Sequence, residues 1–168
     1  KVTPFPPSVI KEILSTYNSA YTNDDLLALY SYTGGVAEYV EMMMDAGATT
    51  KEQMTERFIA KNSYFIYEGK NMLIEEFGNI YKYGYMIEVG ANKKLKMVMD
   101  KSYTTYTGKV LERYFIAKMI ESEEYTQIAS WWDRKGENEI DIIAADELEQ
   151  KVIFYEVKRQ AKDINPAC

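Results

Sequence analysis

Glu139-Ile140-Asp141-Ile142-Ile143-Ala144 and Lys151-Val152-Ile153-Phe154-Tyr155-Glu156-Val157-Lys158 are two runs separated by the short polar link Ala145 to Gln150. The first alternates in polarity and the second holds a β-prone apolar core, so both read as strands. A link this short joins them most simply as an antiparallel hairpin. Centred on Leu148 and Glu149, that hairpin sets Ala144 against Ile153 and Asp141 against Glu156. Directly opposed residues have Cβ atoms about 5 Å apart, and the two-residue period of a strand adds Glu139 and Lys158 to the same face. One face then presents Glu139, Asp141, Glu156 and Lys158, whereas a one-residue slip would divide them between two faces.

Two facing carboxylates repel when both are ionised, so one takes up a proton or a cation neutralises the pair. The chain has 0 histidines, which leaves oxygen donors and a hard cation as the natural choice. Mg²⁺ is held in this way, by one or two carboxylates with waters and substrate phosphate oxygens. Such an ion orients a water and stabilises charge on a phosphodiester. Lys158, two residues beyond Glu156, is placed to position that water or offset developing negative charge. The plain alternative is a solvated hairpin face on which Glu139 and Lys158 form an ordinary ion pair, contributing roughly 0–1 kcal/mol.

Upstream of the hairpin, Tyr125 to Trp132 reads as another strand. Gly108 to Glu121 reads as a helix whose Val110, Leu111, Tyr114, Phe115, Ala117 and Met119 would face the sheet, with Glu112 beside that stripe. Residues 78–107 are rich in Tyr, Lys and Gly and keep no single period, although Leu95, Val98 and Met99 are spaced for a helix over Asn92 to Lys101. The first half reads as five short helices. Pro6-Pro7-Ser8 opens the first, with Val9, Ile10, Ile13 and Leu14 on one face; Thr22 or Asn23 caps the second, from Asp24 to about Tyr32. The others run over about Val36 to Asp45, Thr50 to Ala60 and Tyr67 to Phe77. Met42, Met43, Met44, Met54 and Met72 are then core filler. The expected class is α+β: a helical region over 1–84, a connecting segment over 85–107, and a sheet-bearing domain over 108–168.

Composition narrows the chemistry. Without histidine, a Ser-His-Asp or Cys-His system and a His-ligated zinc are excluded. Gly34-Gly35 lacks the lysine and second glycine of a phosphate-binding loop. The net charge is −6, which argues against attraction of the whole surface to phosphate backbones. Arg134, Lys135, Lys158, Arg159 and Lys162 nevertheless gather near the hairpin, which leaves room for a local basic surface. The sequence shows neither a basic-then-apolar leader nor an apolar run of about 18 residues, so no membrane association is expected. The 1 cysteine, Cys168, suits a reducing compartment, and a cytoplasmic location is expected.

The run Trp131-Trp132-Asp133-Arg134-Lys135-Gly136-Glu137-Asn138-Glu139-Ile140-Asp141-Ile142-Ile143-Ala144, followed by Tyr155-Glu156-Val157-Lys158-Arg159, resembles the C-terminal region of archaeal-type DEXX-box ATPases. That region carries a nuclease-like domain of the PD-(D/E)XK, or restriction-endonuclease-like, superfamily. Tyr32-Thr33-Gly34-Gly35-Val36-Ala37-Glu38-Tyr39-Val40 and Glu68-Gly69-Lys70-Asn71-Met72-Leu73-Ile74-Glu75-Glu76-Phe77-Gly78 are similar to the helical, lid-like part that follows the ATPase core. Gly108-Lys109-Val110-Leu111-Glu112-Arg113-Tyr114-Phe115 resembles the first nuclease helix.

The resemblance implies an α/β restriction-endonuclease-like domain with a mixed sheet. In it Asp141 is the motif aspartate and a metal ligand, Glu156 the second metal ligand, Lys158 the motif lysine, and Glu112 the helix glutamate that completes many such sites. The implied cofactor is Mg²⁺ or Mn²⁺, and the implied partner is nucleic acid, above all DNA, met by Arg134, Lys135 and Arg159. ATP would enter only through an ATPase core of the same parent chain, expected ahead of Lys1. A winged-helix segment is expected near Gly84 to Glu88, and a further helix and strand after Cys168. Three functions stay open: metal-dependent hydrolysis of nucleic-acid phosphodiesters, a catalytically inactive DNA-binding or interaction module of an ATPase, and a purely structural regulator of an ATPase without DNA affinity.

Overall fold

The structure, a computed structural model, describes residues 3–60, 63, 92–135 and 137–159; of residues 92–102 and 105 it describes the backbone alone. Four short helices open the chain: α1 (Pro7–Tyr17), α2 (Asn23–Thr33), α3 (Ala37–Asp45) and α4 (Lys51–Ile59). A long helix, α5 (Asn92–Ser122), leads into strands β1 (Gln127–Trp132), β2 (Glu139–Asp146) and β3 (Lys151–Tyr155). The expected helix over Tyr67 to Phe77 and the Gly84 boundary lie outside the described residues.

Local chemistry explains the helix starts. Pro7 occupies the first turn of α1, where its missing N–H is no loss. Thr22 and Asp25 form a capping box at α2, and Thr50 and Gln53 form one at α4. The same Asp25 also accepts the backbone N–H of Lys51, at 2.7 Å. One carboxylate thus caps α2 and fastens the start of α4 to it. Gly34 and Gly35 both take positive φ where α2 ends. A Cβ on Gly35 would meet the Phe5 carbonyl oxygen at 2.8 Å, so the pair makes a close-packed turn.

The helices share one core. Ile10, Leu14, Leu29, Met43 and Met54 are wholly buried in it, with Met44, Phe58 and Ile59 nearly so. Met43, Met44 and Met54 are therefore core residues, Met42 packs partly buried against them, and Met72 lies outside the described residues.

α5 corrects the expectation of separate helices over Asn92 to Lys101 and from Gly108. It is continuous across 31 residues, with Gly108 inside it. The conformational cost of glycine in a helix is about 1 kcal/mol, and packing on both sides of α5 outweighs it. On one side Tyr103 lies against Tyr32, Tyr114 meets Tyr30 edge to face, and the Tyr106 hydroxyl donates to the Ser31 carbonyl at 3.2 Å. Ser8 and Glu121 are hydrogen-bonded across α1 and the end of α5. α5 also contacts β2. Its apolar stripe consequently serves the helical core as well as the sheet, and Phe115 is left exposed rather than facing strands.

The sheet order is β1-β2-β3 and both pairings are antiparallel. The described sheet is thus antiparallel throughout, where a mixed one was expected, because short turns join its consecutive strands. Ala144 pairs with Ile153 and Ile142 with Tyr155, the register read from the sequence. β1 carries an irregularity between Ala129 and Trp131, after which Trp132 pairs with Glu139. Ile142 and Ala144 are wholly buried on one face. The other face leaves Val152, Phe154 and Trp132 exposed.

Candidate functional site

Asp141 lies in β2 beside the buried Ile142 and is itself only 9% exposed. Its Oδ2 accepts the backbone N–H of Val157 at 2.7 Å. β3 ends as a regular strand at Tyr155, so this side-chain bond takes over from the ladder and keeps Glu156, Val157 and Lys158 alongside β2. Lys158 Nζ meets Glu156 Oε1 at 3.0 Å. The expected neighbours Asp141, Glu156 and Lys158 are therefore brought together at the end of the hairpin.

Glu112 reaches the group from α5. Burial pushes its carboxyl above the ordinary glutamate range, the charges of Asp141 and Glu139 push it further, and Lys109 and Lys158 oppose them. Lys158 is displaced upward chiefly by its hydrogen bond with Glu156, against the effect of burial, and Asp141 and Glu139 reinforce it. Its ammonium is thus fixed in the charged form near neutral pH. Glu112, Glu139, Asp141, Glu156 and Lys158 make one electrostatically connected group drawn from α5, β2 and the segment after β3.

By donor type the four carboxylates of this group fit a hard divalent cation: they offer only oxygen, and the Lys158 ammonium carries no free lone pair. The carboxylates are not gathered to coordination spacing, however. Among the described residues no three acidic side chains stand close enough to share a metal ion. Glu156 is turned to Lys158 and one oxygen of Asp141 to Val157.

The basic residues divide into two kinds. Arg134 and Lys135 are exposed on the β1–β2 loop. That loop is shaped by Asp133, whose Oδ1 accepts the N–H groups of Lys135 at 3.0 Å and Glu137 at 2.9 Å. The Trp132–Glu139 pairing places the loop at the end of the sheet nearest Asp141. Arg159 instead turns inward. Its guanidinium donates to Thr107 Oγ1 at 2.7 Å and to Asp24 Oδ1 at 3.0 Å, and lies over the Tyr103 ring. It clasps the end of the hairpin to α2 and α5, a role the sequence reading missed because no local pattern links Arg159 to Asp24.

The family model DUF234, described as archaea bacterial proteins of unknown function, matches residues 76–166. The chain belongs to this family. The matched segment of this DUF234 protein contains Glu112, Glu139, Asp141, Glu156 and Lys158, and so the whole connected group. No curated protein and no solved structure matches the chain. Among the described residues no helix is long and apolar enough to cross a membrane.

Proposed function

We propose that this DUF234 chain hydrolyses nucleic-acid phosphodiesters with the help of a divalent metal, as a nuclease-like domain attached to an ATPase. The observation that carries this reading is the convergence of Glu112, Asp141 and Lys158 from three separate elements into one group whose charges act on each other. The resemblance to the PD-(D/E)XK region of DEXX-box ATPases names the same residues.

In this reading Asp141 and Glu156 hold Mg²⁺ or Mn²⁺, which supplies a polarised phosphoryl oxygen and a more acidic water. Glu156 must release Lys158 to do so. Lys158, held protonated, is not a base; its ammonium orients the attacking water and offsets negative charge growing on the phosphate. Glu112, whose carboxyl is pushed upward by burial and by the Asp141 and Glu139 charges, closes the group from the α5 side. Trp132, Arg134 and Lys135 stand at the sheet end where a DNA backbone would approach.

A second reading, an inactive DNA-binding or interaction module, draws on one specific contact. Glu156 and Lys158 satisfy each other, which is a resting arrangement for a structural ion pair.

Cleavage of single- and double-stranded DNA in Mg²⁺ or Mn²⁺ separates the two. The hydrolytic reading expects Asp141→Asn and Lys158→Ala each to lower cleavage by about 10²-fold or more with the fold intact. Folded wild type that binds DNA in a salt-dependent manner without cutting it selects the inactive module.

A further inference from the structure

α1, α2, α5 and the residues after β3 enclose a cleft of about 390 Å³, within the size range of small-molecule sites. Its wall is basic although the chain as a whole carries −6. Lys11 comes from α1, Lys118 from α5 and Lys158 from beyond β3. Asp24 also lines the cleft, but Arg159 neutralises it at 3.0 Å. Lys158 is paired with Glu156. Among the described residues, neither Lys11 nor Lys118 has a carboxylate partner. Two ammonium groups without a carboxylate partner thus line one cleft.

The rest of the wall is aromatic. Tyr21, Tyr114 and Phe115 contribute rings, and Phe115, set edge-on to Tyr114, remains 40% exposed. Rings beside unpaired lysines suit a ligand with one planar face and one compact, doubly charged anion. Lysine engages phosphate as a point charge, and a nucleobase stacking on an aromatic side chain contributes roughly 1–3 kcal/mol. Among the described residues no glycine-rich backbone loop lines the cleft to cradle a polyphosphate.

We propose that this cleft binds a nucleoside monophosphate group, its phosphate held between Lys11 and Lys118 and its base against Phe115 and Tyr21. The group can belong to a free nucleotide or to the 5′-phosphorylated end of a nucleic-acid strand. The cleft shares Lys158 with the carboxylate group but none of its carboxylates, and the phosphate contacts proposed for it use neither that residue nor a metal, so it does not rest on the hydrolytic reading.

The test is calorimetric titration of the full chain, with a chelator present, using AMP, adenosine, inorganic phosphate, and a short single strand with or without its 5′ phosphate. AMP should bind at least about tenfold more tightly than adenosine or phosphate, one decade of affinity for each missing half. Lys11→Glu with Lys118→Glu should weaken AMP by about tenfold or more, and Phe115→Ala should weaken AMP but not phosphate. Both variants alter exposed side chains, and an unchanged melting temperature verifies their fold. Preference for the 5′-phosphorylated strand over AMP, lost in the double variant, would identify the strand end as the source. Absence of binding by both AMP and the phosphorylated strand, or binding indifferent to the double substitution in folded protein, would overturn the proposal.

Discussion

Asp141 accepts the backbone N–H of Val157 through Oδ2 at 2.7 Å, just where β3 has ceased to be a regular strand. The bond makes Asp141 a positioning group for the Glu156–Lys158 segment as well as a candidate ligand. Asp141→Ala leaves that N–H without its partner, and stability should fall by about 1–3 kcal/mol. Asp141→Asn keeps an acceptor oxygen and should cost about 1 kcal/mol or less. Guanidinium unfolding of the two variants checks the order; equal losses would show that the bond does not hold the segment.

Arg159 ties the hairpin to the helices through Thr107 and Asp24, but the two contacts are unequal. Thr107 is wholly buried, while the Asp24 side chain is 53% exposed. Exposed ion pairs contribute about 0–1 kcal/mol, whereas hydrogen bonds to a charged group contribute about 1.5–3 kcal/mol. Arg159→Ala should therefore destabilise by roughly 1.5–3 kcal/mol, and Asp24→Asn by less than about 1 kcal/mol. Arg159→Lys should recover little, because a single ammonium cannot reproduce the two-pronged contact. A double-mutant cycle on Asp24 and Arg159 isolates the smaller part.

Where a residue's role was set by its neighbours in sequence, it could be read directly. The register that pairs Ala144 with Ile153 rests on centring the hairpin on Leu148 and Glu149, and the observed pairing has that centre. The cap at Thr22, one of two candidates with Asn23, follows from residue type and position, whereas Thr50 reads as the first helical residue and is instead the cap of α4. Gly108 reads as a helix start because no local pattern signals the packing that Tyr103, Tyr106 and Tyr114 give α5, which carries the helix through it. Arg159 misled for a related reason: a cation beside Lys158 looks like part of a basic surface until the fold brings Asp24 against it. The grouping of Glu112 with Asp141 needed a resemblance to be anticipated, since helix periodicity alone gives no distance to a strand.

Asp25 connects the fold to pH. Burial tends to raise its carboxyl, but backbone hydrogen bonds from Thr22 and Lys51 outweigh this, and its pKa lies below the ordinary aspartate value. A carboxyl lowered in the folded state contributes stability in full above its unfolded pKa, about 3.9. That contribution is lost as pH falls through the folded value. Asp25→Asn should therefore be less stable than wild type at neutral pH by about 1–2 kcal/mol, with the gap narrowing below about pH 4. Thermal melts of both proteins across that range measure it; a gap constant with pH would show that the ionised carboxylate is not the stabilising form.

Two glycines predict opposite responses to the same added methyl group. Gly108 sits inside α5 with nothing within 4 Å of a built Cβ, so alanine meets no clash and restricts the unfolded chain. Gly108→Ala should stabilise by about 0.5–1 kcal/mol. Gly35 has φ +76°, and its Cβ would stand 2.8 Å from the Phe5 carbonyl oxygen. The Phe5 N–H also donates to the Gly35 carbonyl at 2.7 Å, so the two backbones cannot separate without losing that bond. Gly35→Ala should destabilise by about 1–3 kcal/mol. Urea unfolding of both variants reads the two signs; destabilisation by Gly108→Ala would mean that α5 is not a single uninterrupted helix at that point.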